Sequence, residues 1–416
     1  MKGIFIPLMI FFGVQISFGQ ATIKTMFYNV LNYPEAPPEN REEILEIIID
    51  SYEPDIFMIC ELETEIGGEE ILNESLNDDN NNYSSAPFLS NFSNSDVELH
   101  QLLYYNNQKF TLIDSQRLTT TIRDINWYTL ELISDNQVTN PIRIEVFVSH
   151  LKASRGTENE VKRLNMVNKF IDNYENLDED AYVIFAGDLN VYSSDEPAYQ
   201  ELLNSNNKIT MADPINKPGN WTSNETFTTI HTQSTRLSSE DFDNFGSGGG
   251  LDDRFDFILI SENMINNTEL SYVPDSYLAY GNNGDCYNQR IDDTDCTGIY
   301  DSSLRDALYT MSDHLPVVME LQSNQQFLNT PEFTETVKNI QLTNGNIIRD
   351  KLSLQIDNTL ESIDFEIYNT LGQKIKSFSA DSNTITNISV SELSLGMYYL
   401  VPININNNTI KFLKVN

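Results

Sequence analysis

Apolar residues recur along the first three quarters of the chain in two alternating rhythms. Residues 23–30 form a strand-like apolar run. Asn40 and Glu43 then stand in capping-box spacing ahead of Ile44, Leu45, Ile47 and Ile48, which predict a helix stopped by Pro54. Residues 56–60 read as a buried strand closing on Glu61. Residues 67–96 are rich in Asn, Ser, Asp and Glu and predict a long polar loop with room for one short helix. Residues 99–105 and 110–118 predict one pair of strands, and 127–133 with 143–149 another. Thr157 and Glu160 give a second capping box, followed by Val161, Leu164, Val167 and Ile171 on one helical face. An apolar strand at 182–186 runs into Gly187-Asp188-Leu189-Asn190, and residues 255–260 and 315–321 predict the last strands of this region.

Beyond residue 322 the periodicity fades. From 347 onward it returns as short strands alone, at 352–356, 363–368, 385–390, 397–402 and 410–415, with turns marked by Leu371-Gly372 and Leu395-Gly396. Evenly spaced strands without helices predict a small all-β sandwich. The expected organisation is a signal peptide over 1–19, a large α/β domain over 20–325, a linker over 326–345 and a β-sandwich over 346–416. The first segment rests on Lys2, the apolar stretch from Ile4 to Val14, and the small residues Ser17 and Gly19 before Gln20. No later segment reaches 18 apolar residues, so the mature chain is expected to be soluble, and a monomer.

Composition narrows the chemistry. The 416 residues carry 62 acids against 25 bases, a formal charge of −37. A polyanion meets net repulsion from such a body, so any phosphate-bearing substrate must be gripped locally, by metal ions and a few basic side chains. Of the three cysteines, Cys60 lies in an apolar run and reads as an inert core thiol. Cys286 and Cys296, ten apart in a polar loop of an exported chain, are either a disulfide or two free thiols.

The polar residues of interest cluster at the ends of the predicted strands: Asn29, Glu61, His150, Asp188, Asn190, Asp256, and Asp313 with His314. Strand ends can converge on one rim of a rigid sheet, as a catalytic site requires. Carboxylates with few other ligands suit Mg²⁺, so Glu61 and Asp313 are the first metal candidates, with Asn29 and Asp188 nearby. A His held by a carboxylate deprotonates water at neutral pH, so His314 with Asp256 forms a candidate base. His150, Asn190 and Arg123 are candidates for the charge that builds on phosphate oxygens. Two loops, 231–236 and 248–253, could border a substrate groove, though a flexible glycine loop is the plainer reading of the second. Asp292, Asp293 and Asp295 lack the glycine and final Glu of a calcium loop and read as a solvated acidic turn.

Six segments now stand in a telling order: Phe27-Tyr28-Asn29-Val30, Cys60-Glu61, Ser149-His150-Leu151-Lys152, Gly187-Asp188-Leu189-Asn190, Arg254-Phe255-Asp256 and Ser312-Asp313-His314-Leu315-Pro316. In that order they resemble the motifs of the endonuclease/exonuclease/phosphatase superfamily, over residues 23–322. The resemblance implies a four-layer α/β sandwich, two packed mixed sheets flanked by helices. It implies Glu61 as metal ligand, Asp188 and Asn190 positioning nucleophile and phosphate, and Asp256 orienting His314. It further implies Asp313 as second acidic ligand or water holder, His150 at the phosphate or leaving group, and Arg123 on phosphate. Mg²⁺ is the expected cofactor, with Mn²⁺ as its substitute, and a structural Ca²⁺ is a further ion left open. Where the family usually has Gln before its metal Glu, this chain has Cys60.

The last residues carry a second resemblance. Ile367-Tyr368-Asn369, Leu371-Gly372-Gln373-Lys374-Ile375, Leu393-Ser394-Leu395-Gly396-Met397-Tyr398-Tyr399 and Lys411-Phe412-Leu413-Lys414-Val415 resemble the sorting domain of the type IX secretion system, without its usual proline-rich opening. That implies export to the exterior or cell surface and the type IX machinery as partner. The expected function is thus a secreted, metal-dependent phosphodiester hydrolase, a nuclease first. A phosphatase or phosphodiesterase for a small or lipid phosphoester is the alternative, and a non-catalytic surface binder the alternative of another class.

Overall fold

The protein is described by a computed structural model over residues 21–78, 81–93, 99–328, 340–343, 347–356, 362–369, 372–381, 385–403 and 410–415. The expected signal peptide, residues 329–339 and 344–345 of the expected linker, and Leu371 of the expected Leu371-Gly372 turn lie outside them. The chain divides into two compact units, Met1–Asn329 and Thr330–Asn416.

In the first unit the elements follow one another as β1 (Ala21–Tyr33), α1 (Arg41–Tyr52), β2 (Ile56–Leu62), α2 (Glu65–Glu70) running into a π-helical turn (Ile71–Leu76), β3 (Tyr83–Ser85), β4 (His100–Asn106), β5 (Phe110–Leu118), β6 (Ile125–Leu132) and β7 (Arg143–His150). There follow α3 (Thr157–Tyr174), β8 (Tyr182–Asp188), α4 (Pro197–Leu202), β9 (Met211–Ala212), β10 (Asp256–Ser261), β11 (Leu270–Tyr272), β12 (Leu278–Ala279), α5 (Ser302–Met311) and β13 (Val317–Ser323). One sheet has the order β11-β13-β1-β2-β4-β3, with β12 also on β13; the other has the order β5-β6-β7-β8-β10-β9. Both are mixed: β1 runs parallel to β2 and β7 parallel to β8, and the other pairings are antiparallel.

The two sheets pack face to face. Phe27, Met58 and Leu103 from one meet Tyr128, Val146, Ile184 and Ile258 from the other in a single apolar layer. The outer face of the first sheet is covered by Leu45 and Ile48 of α1 and Leu308 and Met311 of α5. The outer face of the second is covered by Met166 and Phe170 of α3 and Leu202 of α4. Strands buried on both faces need apolar residues at every position, which is why they read as unbroken runs. The result is the expected four-layer sandwich.

Several local expectations are corrected. The strands over 99–105 and 110–118 do not pair: β4 pairs with β2 and β3, whereas β5 joins β6 in the other sheet. Lys109, in the turn between them, is held at 2.7 Å by Asp55 beside the first sheet, so the chain crosses between sheets there. Neither expected capping box forms. Asn40 has φ 61 and makes no side-chain cap, and the residue before α3 is Gly156, with Thr157 already inside the helix. A capping side chain needs an extended backbone to reach back to the helix, which Asn40 lacks. The buried face of α3 is Arg163, Met166, Val167, Phe170 and Tyr174, while Val161 is half exposed. Arg163 is drawn inward by Glu196 (2.9 and 2.7 Å) and two carbonyls, so the buried stripe runs through a charged residue that apolar spacing passes over. Among its described residues, the polar stretch 67–96 holds the second half of α2, the π-helical turn and β3.

The second unit contains β14 (Ile340–Leu342), β15 (Ile347–Ile348), β16 (Lys351–Ile356), β17 (Ser362–Asn369), β18 (Lys374–Asp381), β19 (Ile385–Ser389), β20 (Gly396–Ile403) and β21 (Ile410–Lys414). Sheets of order β14-β16-β19 and β15-β21-β20-β17-β18 enclose Leu352, Leu354, Phe365, Ile367, Leu400 and Phe412. The strand β18 has no apolar run to announce it. It pairs along most of β17 while leaving Ile375 45% exposed.

Candidate active site

Strand direction gathers the polar residues. Parallel β1 and β2 end at one rim, as do parallel β7 and β8. Antiparallel β10 and β13 begin at that rim. In register, His150 lies opposite Asp188, and Asp188 opposite Asp256. Asn29, on β1, lies opposite Cys60, one residue before Glu61. The rim opens into a cleft of about 380 Å³ whose lining includes Glu61, Arg123, His150, Asp188, Asn190, Asp313 and His314.

Local backbone geometry aims these side chains. Cys60 faces the inter-sheet core, so strict alternation would turn Glu61 to the other face of the sheet. Instead the β2–β4 register shifts between Cys60 and Leu62, and Glu61 takes φ 61, which re-aims its carboxylate into the cleft. A left-handed backbone at a non-glycine residue costs about 1–3 kcal/mol, and such residues concentrate at functional sites. Asn190 repeats the device with φ 51, its N–H donating to Asp188 Oδ1 at 3.0 Å. Gly187 permits β7 and β8 to close: a Cβ there would lie 2.2 Å from the Ser149 carbonyl oxygen. The segment before β13 is tied to β1 through Ser312 Oγ, which donates to the Asn29 carbonyl at 2.7 Å. The fully buried Arg41 guanidinium binds the carbonyls of Val30, Leu31 and Met311, fastening the same two segments.

Within the cleft, Asn29 Nδ2 donates to Glu61 Oε1 at 2.9 Å and to Asp188 Oδ2 at 3.2 Å. Its oxygen accepts the Leu31 N–H at 3.0 Å, which fixes the amide orientation. Asn29 therefore offers N–H groups, not its oxygen, to the carboxylates. His150 Nε2 lies 3.8 Å from Glu61 Oε1 and 3.5 Å from Asp188 Oδ2. His314 Nδ1 lies 2.7 Å from Asp256 Oδ2, and its Nε2 is 3.8 Å from Asp188 Oδ2. Glu61, His150 and Asp188 form one group with ligand atoms all within 4.8 Å, and Asp188, Asp256 and His314 form another. Asp313 stands outside both groups: its Oδ2 accepts from Gln233 (2.9 Å) and the Ser247 N–H (2.7 Å), and its Oδ1 is buried without a hydrogen-bond partner. Arg123 is buried, with Nε and Nη2 on the carbonyls of His150 (2.9 Å) and Leu151 (2.5 Å).

Charge is crowded here. Burial raises the Glu61 carboxyl, and Asp313 raises it further. Burial likewise pushes Asp188 up to about 8 despite the nearby His314. His150 is driven well below the ordinary imidazole range, by burial first and Arg123 second, and stays neutral. For His314 burial pulls the other way, but Asp256, Asp313 and Asp188 outweigh it and hold the imidazole well above its usual range. Burial lowers Arg123, against the pull of Glu61 and Asp188.

All the sequence-nominated residues thus reach one cleft or its wall. Sequence reading passed over Gln233 as an individual, although it marked its loop as a border; its amide nitrogen lies 2.6 Å from His314 Nε2. It also passed over the Ser247 N–H and Tyr192, which line the same cleft. Elsewhere, Cys286 and Cys296 are joined as a disulfide with Cα atoms 5.2 Å apart. Asp292 is engaged bidentately by Arg290 at 2.9 and 2.6 Å.

Comparison with known proteins adds two findings. Residues 348–416 match the model of the secretion system C-terminal sorting domain. The chain carries an export address. That sorting domain marks it for secretion or attachment at the cell surface, and no helix among the described residues is long and apolar enough to cross a membrane. Among solved structures, the chain is similar to the catalytic domain of human Nocturnin, at 19% identity over 73% of this chain and 97% of that one, with a TM-score of 0.46. It is also similar to an endonuclease/exonuclease/phosphatase family protein from Bacteroides thetaiotaomicron (15% identity, 74% and 99% coverage, TM-score 0.47). A mannosyl-6-phosphatase of the same organism is similar at 14% identity, 72% and 99% coverage and a TM-score of 0.45. No curated protein matches the chain in sequence.

Proposed function

We propose that the first unit is a divalent-metal-dependent phosphodiester hydrolase, delivered to the exterior by the sorting domain. One observation carries this reading. The Asp256–His314 pair, closed at 2.7 Å, stands 3.8 Å from Asp188, on a cleft that Glu61 and His150 share.

The donor set fits a hard cation. Glu61 and Asp188 supply oxygen, their charges are crowded in a buried site, and Asn29 holds both in place from behind. Bound there, Mg²⁺ or Mn²⁺ would polarise a phosphate oxygen and neutralise developing charge. The residues do the remainder. In its neutral form His314 accepts the proton of the attacking water through Nε2, and Asp256 fixes the ring and balances the imidazolium that results. Neutral His150 donates from Nε2, and Asn190 and Arg123 offer N–H groups where charge builds on the phosphate. Asn29, nominated as a ligand, is here a positioning residue. Asp313 acts through Gln233 and His314, and its Oδ1 remains an unspent acceptor.

A nuclease is the first form of this activity to test. A second reading, hydrolysis of a small phosphoester, has its own support: among the described residues Arg123 is the only Lys or Arg lining the cleft, and two of its donors are taken by backbone carbonyls. With a chain charge of −37, little opposes the repulsion of a long polyanion. The test is a panel of plasmid DNA, RNA, bis(p-nitrophenyl) phosphate, sugar phosphates and phospholipid, with Mg²⁺, Mn²⁺ or chelator. Metal-dependent hydrolysis of at least one class is expected, and hydrolysis of none sinks the proposal.

A further inference from the structure

Gln233 lies in a loop without periodic signal, yet its backbone is fixed on both sides. Its N–H donates to the Asp253 carbonyl at 3.0 Å, and its own carbonyl accepts from the N–H groups of Asp252 (2.9 Å) and Asp253 (2.8 Å). The preceding residue, Thr232, receives the Leu315 N–H at 2.7 Å, one residue beyond His314. The side chain then lines the cleft with its nitrogen 2.9 Å from Asp313 Oδ2 and 2.6 Å from His314 Nε2.

Donor counting decides what these contacts mean. A carboxylate oxygen only accepts, so the amide group facing Asp313 is the NH₂. The opposite orientation would set two oxygens 2.9 Å apart. The second amide hydrogen meets His314 Nε2 at 2.6 Å, a contact that only the neutral ring can accept, so the amide donor opposes the carboxylates around the ring, which favour the imidazolium. The ring proton resides on Nδ1 and is donated to Asp256 Oδ2 at 2.7 Å. The chain Asp313–Gln233–His314–Asp256 is thereby polar in one direction, and the Ser247 N–H at 2.7 Å steadies its first oxygen.

We infer that Gln233 is a positioning residue that fixes His314 in the tautomer with its lone pair on Nε2, while tethering it to Asp313. The inference rests on the hydrolase reading above. When the attacking water arrives, it takes over the donor place at Nε2, and the amide keeps its bond to Asp313. Gln233 therefore acts on the base and not on the substrate, so its loss falls on kcat.

The test uses the full-length protein and three variants: Gln233→Met, which keeps the volume without donors, Gln233→Ala, and Gln233→Glu, whose carboxylate faces Asp313. With the best substrate of the panel, kcat is expected to drop about ten- to hundredfold in the Met and Ala variants, as for other supporting contacts around a site, with KM within about threefold. Gln233→Glu should lose at least as much. In parallel, ¹⁵N spectra of the metal-free protein report the His314 tautomer; only four histidines are present, and His314→Gln assigns the resonance. In spectra taken on the alkaline side of the ring's raised titration, where it is neutral, the wild type should show Nδ1 protonated and Nε2 as acceptor, and Gln233→Met should show a mixture. An unchanged kcat with unchanged resonances, or an effect confined to KM, overturns the inference. A wild type inactive on every substrate removes the hydrolase reading alone, and the spectra then decide whether Gln233 sets the tautomer.

Discussion

Replacing Asp256 with Asn exchanges one oxygen for an NH₂ at a fully buried position whose single hydrogen-bonded oxygen holds His314 Nδ1 at 2.7 Å. Volume is kept, so packing against its β8 partner Asp188 is undisturbed. The electrostatics change in one of two ways. With the amide oxygen toward the ring, Nδ1 keeps its proton but the charge that balances an imidazolium is gone. With the NH₂ toward the ring, Nδ1 becomes the acceptor and the proton moves to Nε2, opposite the Gln233 amide, and the base has no lone pair left to use. A positioned general base contributes about 10²–10⁴ in rate, so kcat should fall by that factor, about 3–5 kcal/mol of activation free energy. Steady-state kinetics on bis(p-nitrophenyl) phosphate at saturating Mg²⁺, with circular dichroism melting as a fold control, measures it. His314→Ala should cost a similar factor, and the double variant little more than either, since the two act as one unit. A kcat within threefold of wild type in a folded Asp256→Asn protein would refute the assignment of His314 as base, as would fully additive losses.

Other outcomes follow from burial and charge. Asp188 has an ordinary value of 3.8 and is pushed up to about 8 in the fold, and Asp253 rises from 3.8 to about 6, burial leading in both. The native state thus holds these protons more tightly than the unfolded chain, so the stability of metal-free protein should fall as pH rises from about 4 to 8. Thermal melts should show that decline, and Mg²⁺ at a hundredfold excess over its Kd should restore about 2.7 kcal/mol at pH 8, or roughly 5 °C. The gain should be smaller at pH 5, where Asp188 is protonated; an equal gain at both would detach the metal from this site. Gly187→Ala should destabilise the fold by at least about 1–3 kcal/mol, because the added methyl meets a backbone oxygen that cannot step aside; an unchanged denaturation midpoint contradicts the close approach of β7 and β8.

What could be read from sequence, and what could not, divides along physical lines. Glu61, His150 and Asp188 announced themselves because each ends a buried apolar run, and a polar residue there has few places to go but the rim. His314 and Asp256 gained meaning as a pair, since a histidine beside a strand of Phe and Ile needs a counter-charge. Gln233 carried no such mark: its role depends on residues 313 and 314 arriving across 80 positions of chain. The separate fates of β4 and β5 were equally hidden, because a short turn normally predicts a hairpin, and only the pairings of β4 with β2 and of β5 with β6 show the chain leaving one sheet for the other. The buried face of α3 was misread for a related reason. Arg163 looks like surface until its partner Glu196, 33 residues on, makes burial affordable.

The decisive measurement is the Mg²⁺ dependence of phosphodiester turnover in wild type and Glu61→Gln, the two compared at equal fold by circular dichroism. Turnover in the wild type should rise with Mg²⁺ to saturation and vanish with chelator. The variant should need far more metal or stay inactive, since Glu61 supplies one of the two oxygen donors that Asn29 holds in place. Turnover that survives chelation, or a Glu61→Gln protein that tracks the wild-type curve, would contradict a metal-assisted reaction in this cleft.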